Sequence, residues 1–157
     1  MAVPTDVHAR VLDLVTDLTD ASLRDDTRAQ WRLYGELRDY CESEAAAGRD
    51  HPFLWESLAD FTTDHVAAVA LYQRGLVQAR RISAVEYEAS ILFELAQRHA
   101  QDGAMATAND LAWQANELAA RTDDLDLRRD ISQFLLTCTP HAHESEPCGP
   151  EPGCTPP

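Results

Sequence analysis

Glu56 and Asp60 stand four residues apart, a spacing that projects two carboxylates from one side of a helix. Such a pair can receive an arginine or lysine of a partner. Acid–base work would require more, because one carboxyl must then sit in an environment that perturbs its ionisation. The other groups with chemical potential are scattered. His65 and His99 fall within helical patterns and read as surface or edge residues. His141, His143, Cys148 and Cys154 offer nitrogen and sulfur donors of the kind zinc or copper prefers. Their Pro-Gly spacers do not fix a tetrahedron, so incidental donors in a solvated segment are the alternative reading. All thirteen basic side chains are arginine, which removes lysine nucleophiles and Schiff-base chemistry. There is no Gly-rich phosphate loop, His-Glu-x-x-His, Gly-x-Ser-x-Gly or Cys-x-x-Cys. The expectation is a chain that is not an enzyme and holds no cofactor or metal.

Charge narrows the choice of partner. Twenty-seven acids against thirteen bases give a formal net charge of −14 over 157 residues. The excess is −7 over residues 1–60, −3 over 61–120 and −4 over 121–157, so it is spread with weight toward the first helices. Such a field repels nucleic acid and anionic membranes and steers basic proteins inward. It also serves plain solubility. No stretch approaches the ~20 apolar residues of a membrane span. The start of the chain carries acids rather than a basic, then apolar, leader. Four dispersed cysteines do not make a disulfide framework. These features predict a cytoplasmic protein.

The elements that must position these groups are helices. Val7, Val11, Leu14, Val15 and Leu18 predict a first helix over about 5–20, capped by Thr5 or Asp6. A second runs from Leu23 or Asp26 to Ala47, carrying Trp31, Tyr34, Leu37, Tyr40 and Cys41 and closed by Gly48. His51-Pro52 restarts the chain for a short third helix ending near Thr62-Thr63-Asp64, a cluster able to cap a fourth over 64–81. A fifth spans about 84–101 and a sixth 104–121, with Gly103 where the chain must reverse. A seventh, capped by Asp123 or Asp124, ends near Cys138. Trp31 and Trp113 are expected in the core. No strand is predicted. The fold class is all-α over 1–139, followed by a disordered Pro/Gly/Cys/His tail over 140–157.

An internal repeat organises these helices. A shift of 40 residues lays Ala68, Tyr72 and Gly75 on Ala108, Ala112 and Ala115. A shift of 37 lays Trp55, Leu58 and Ala59 on Leu92, Leu95 and Ala96. Small residues three, four and seven apart let paired helices approach closely, and self-similarity at this period marks stacked hairpins. An unrelated antiparallel bundle would also space alanines this way. With these residues the chain resembles the tetratricopeptide repeat family over about residues 52–121. Trp55-x-x-Leu58-Ala59 with Ala68-x-x-x-Tyr72-x-x-Gly75-Leu76 resembles one copy. Leu92-x-x-Leu95-Ala96-x-x-His99-x-x-x-Gly103 with the alanine ladder resembles a second. Thr62 and His99 replace the family's aromatic ring, and the family's closing proline is missing from both copies.

The resemblance implies antiparallel hairpins stacked as a short solenoid, with a groove lined by the first helix of each pair. Groove positions would be Phe53, Glu56, Asp60 and Thr63, then Ser90, Phe93, Gln97 and Gln101. Members that hold an acidic peptide terminus use basic groove residues, which these positions lack. Phe53 and Phe93 would serve either as apolar anchors or as core. The expected function is non-catalytic binding of a basic protein, one form being an immunity protein that neutralises a cognate toxin. The alternative is a peptide-binding adaptor or scaffold in a regulatory complex.

Overall fold

The computed structural model describes residues 2–138, and among them the only regular secondary structure is helix. In chain order the helices are α1 (Thr5–Leu23), α2 (Thr27–Ala46), α3 (Pro52–Asp60), α4 (His65–Ile82), α5 (Val85–Gln101), α6 (Met105–Ala119) and α7 (Leu125–Cys138). The segment 140–157, with its expected disorder and donor set, lies outside the described residues.

Each helix packs on the next, and the odd-numbered helices also touch in sequence, α1 on α3 and α3 on α5. Phe93 of α5 meets Phe134 of α7 edge to face at 5.6 Å, extending the row. Arg74 of α4 reaches Glu42 of α2 at 2.8 Å on the other layer. Consecutive hairpins thus stack side by side in two layers, with α3, α5 and their neighbours presenting one shared face.

The repeat positions explain the close packing. Ala68, Tyr72, Gly75 and Ala79 of α4 are buried, as are Ala108, Ala112, Ala115 and Ala119 of α6. At Gly75 an added Cβ would lie 3.0 Å from Ile91 Cδ1 and 3.3 Å from Trp55 Cβ. A side chain there would force Ile91 or Trp55 to give by a few tenths of an ångström, so glycine lets α4 lie closest to α3 and α5. One cluster joins α4–α7 with Ala59 of α3, a second joins α1–α3, and Leu71 packs against both.

Four of the turns use one device. Asp25, Gly48, Ser83 and Gly103 adopt positive φ of 53°, 79°, 55° and 78°. In each, the following amide bonds back to a carbonyl five residues earlier, as in Ala84 N–H to Ala79 O and Ala104 N–H to His99 O. Two of the four are not glycine and carry a Cβ strain there. Ser83→Gly is therefore expected to stabilise the protein by up to about 1 kcal/mol, read as a higher urea midpoint with an unchanged slope.

Several local expectations change. Asp26, Asp64 and Asp124 each accept an amide three residues on, at 3.0, 2.8 and 2.9 Å, as helix caps do. The first helix is different: Pro4 precedes it with no side-chain cap. Asp6 instead binds Arg49 at 2.7 Å, and that hydrogen bond holds its carboxyl below the usual carboxylate range. Neither Trp31 nor Trp113 is core: they are 75% and 52% exposed. The buried stripe of α2 is Leu33, Leu37, Cys41 and Glu44, and Trp31 lies about 200° around the helix from Leu33. Trp113 likewise falls beside the alanine stripe of α6, not within it. Trp55 is the buried tryptophan.

Candidate partner-binding site

α3 is short because Pro52 opens it and the chain turns after Asp60 to enter α4 under the Asp64 cap. Its apolar side, Leu54, Trp55, Leu58 and Ala59, is consumed by the core. Glu56 and Asp60 then point toward α5 and the middle of α4. Glu56 Oε1 accepts the Ser90 hydroxyl at 2.5 Å, joining α3 to α5. Asp60 Oδ1 accepts the Tyr72 hydroxyl at 2.6 Å, joining α3 to α4.

Among the described residues neither carboxylate has an ion pair within direct contact, and both are raised in pKa. Burial pushes Glu56 up to about 7; the Ser90 hydrogen bond opposes this, and the neighbouring charges of Asp60 and Glu94 add to it. Asp60 is exposed as a whole residue, but its carboxyl is turned inward, and burial raises it against the pull of Tyr72 and Arg98. Glu94 of α5 is raised by burial and by Asp60, with Arg98 opposing. Burial, followed by the bond to Asp60, also keeps the Tyr72 phenol protonated. Three carboxyls thus share one face, and the guanidinium acting on two of them is that of Arg98.

The remaining predicted positions divide. Phe53 is half-buried, stacked on His8 at 5.1 Å and edge-on to Tyr87 at 6.5 Å. Phe93 is buried in the core against Phe134. Ser90 and Gln97 are half-buried, while Thr63 and Gln101 are exposed. The structure therefore brings Glu56, Asp60 and Ser90 together and places Gln101 at the end of α5. Sequence reasoning missed Glu94 and Arg98. The signal was there: Glu94 is four from Ser90 and three from Gln97, on the same side of α5.

Beside this face a groove of about 670 Å³ opens between the first hairpin and the α3–α4 turn. Trp31, Tyr34 and Phe61 form its aromatic wall, with Asp60, Asp64 and Arg98 at its polar edge. The Tyr34 phenol meets Thr62 Oγ1 at 2.9 Å, and that hydroxyl donates onward to Leu58 O at 2.8 Å. Thr62 thus pins the first hairpin to the second.

Other groups are accounted for structurally. His65 and His99 meet edge to face at 6.4 Å. The buried Cys41 thiol donates to Leu54 O at 3.4 Å, and burial pushes it up to about 12. Among the described residues, no three His, Cys, Asp or Glu side chains gather as a metal site. No described helix is long and apolar enough to cross a membrane.

No family model, curated protein or solved structure matches this chain.

Proposed function

We propose that this is a non-catalytic interaction protein that captures a basic protein on the face shared by α3 and α5. The observation that supports this reading is the under-neutralised cluster of Glu56, Asp60 and Glu94. Three carboxyls of raised pKa share one guanidinium, Arg98, which acts on Asp60 and Glu94 and not on Glu56, so their ionised forms are only partly compensated. A partner's arginine or lysine placed there would complete the compensation, on a chain whose overall field already draws cations in. The likeness of residues 52–121 to tetratricopeptide repeats fits the same role, since α3–α6 are the two hairpins in question.

Two biological uses follow. An immunity protein would block a basic toxin by covering it, whereas an adaptor would hold a basic peptide without inhibiting its owner. Loss of the partner's own activity in the complex separates the first from the second.

The test is calorimetric titration with a deca-arginine peptide. Removing the three charges isosterically (Glu56→Gln, Asp60→Asn and Glu94→Gln together) should weaken binding at least tenfold, about 1.4 kcal/mol. Asp13→Asn, Asp17→Asn and Asp20→Asn together remove three carboxylates from the exposed side of α1, at least as much charge, and should cost far less. Wild-type affinity should also fall steeply with added salt. Equal losses in the two triple variants would reduce the effect to net charge and overturn this site.

A further inference from the structure

The groove beside the carboxyl face contains a feature that packing does not require. Trp31 is a large ring left 75% exposed on a helix whose apolar stripe lies elsewhere. It stands over an opening with Tyr34 and Phe61 on its wall and two carboxylates at its edge. Each carboxylate has spent one oxygen internally, Asp60 on Tyr72 and Asp64 on the amide of Ala67. Asp64 is exposed and can offer its second oxygen to a donor from outside, whereas the Asp60 carboxyl is turned inward.

An aromatic face with carboxylates beside it matches one side chain in particular. A guanidinium is planar, stacks on an indole, and delivers paired N–H donors to a carboxylate in the plane of its fork. The volume, about 670 Å³, suits a few residues of a peptide rather than a broad protein surface. Arg98 at the same edge is drawn toward Asp60 and Glu94, whose ionisation it favours. The net field of −14 opposes a phosphate-bearing ligand.

We infer that this groove is a receptor for an arginine-bearing peptide segment of the partner, with Trp31 as the stacking platform and Asp64 as the guanidinium acceptor. This inference rests on the reading that the chain binds a basic protein, and it gives that protein's anchor a side chain and a seat.

The probe is the blocked peptide Gly-Arg-Leu-Arg-Gly, followed through the indole Nε1–H resonance of Trp31, which Trp31→Phe assigns. The arginine peptide should shift that resonance, and its citrulline counterpart, alike in shape but neutral, should bind at least tenfold more weakly. By calorimetric titration, which does not need the indole reporter, Trp31→Ala and Asp64→Asn should each weaken the arginine peptide about five- to tenfold. Both variants should fold, since Trp31 is exposed and asparagine caps a helix as well as aspartate does. Trp113→Phe, at an exposed ring outside the groove, should change nothing.

Undiminished binding of the arginine peptide to Trp31→Ala and Asp64→Asn would overturn the groove assignment while leaving capture of a basic partner intact. Equal binding of the citrulline peptide would overturn the guanidinium as the recognised group. A Trp31 shift produced by adenosine monophosphate but not by the arginine peptide would make the groove a nucleotide site and overturn the inference. Failure of both this peptide and deca-arginine to bind would remove the basic-partner reading as well.

Discussion

Trp55→Ala is expected to lower the unfolding free energy by about 3–5 kcal/mol, the range for emptying a buried aromatic site. Trp55 is completely buried and lies where α3 crosses α4. Its indole N–H donates to Asp50 Oδ1 at 2.6 Å, and the Arg74 guanidinium lies over its ring at 3.4 Å. The substitution therefore opens a cavity, removes a partner from a carboxylate, and takes the platform from under a cation. It also loosens the joint between the two hydrophobic clusters, because Trp55 backs onto the glycine that lets α4 approach. Trp55→Phe keeps most of the volume and should cost markedly less. Urea unfolding followed by far-ultraviolet dichroism measures both variants, and a loss below about 1 kcal/mol for Trp55→Ala would show that the site collapses freely.

Glu56→Gln should stabilise the protein above neutral pH relative to its effect below about pH 4, where the Glu56 carboxyl is protonated in both folded and unfolded states. The folded protein holds the Glu56 proton up to about pH 7, whereas the unfolded chain releases it near 4.5. Between those values the folded state binds the extra proton, so stability falls as pH rises and levels off above the folded pKa. Full ionisation corresponds to about 2–3 kcal/mol, trimmed by the partial exposure of the side chain. Glutamine still accepts the Ser90 hydroxyl but carries no charge beside Asp60 and Glu94. The difference in urea midpoint between the two proteins should therefore open between pH 4.5 and 7 and stay constant beyond. Asp60 and Glu94, also raised, remain in both proteins and largely cancel in the difference. A difference that is flat across this window would show Glu56 ionising as an ordinary surface acid. A proton released from Glu56 on binding a cation should make capture of a basic partner tighten with pH through the same range.

The helices were legible because their apolar stripes are long and their ends are punctuated. Pro52, Gly48 and Gly103 mark boundaries by backbone chemistry alone, and Asp26, Asp64 and Asp124 cap where a short acidic side chain precedes an apolar run. Asp25 and Ser83 close their helices with the same left-handed turn as the glycines, and nothing local announces them. Their conformation is imposed by the hairpins on either side, which outweigh a strain of about 1–2 kcal/mol.

The two misplaced tryptophans carry a similar lesson. A stripe through Trp31, Tyr34, Leu37 and Cys41 is as good a helical pattern as the one the protein uses. The choice fell to Leu33 because α1 packs on that side, with Leu33 and Leu37 joining Val7, Val11 and Leu14 in one cluster. For Trp113 the alanine ladder already excluded it, since a ring cannot share a face that brings two helices into contact.

By itself the sequence determined seven helices, their order, and the alanine and glycine positions at which they meet. Those follow from periodicity and turn chemistry, which act over a few residues. Tertiary structure decided which carboxyls share a face, because Glu56, Asp60 and Glu94 come from helices whose offset is set by side-chain packing. It also decided that Glu56 is held near neutrality, since desolvation depends on what covers a group and not on its neighbours in the chain. The groove under Trp31 arises in the same way, from the angle between one hairpin and the next.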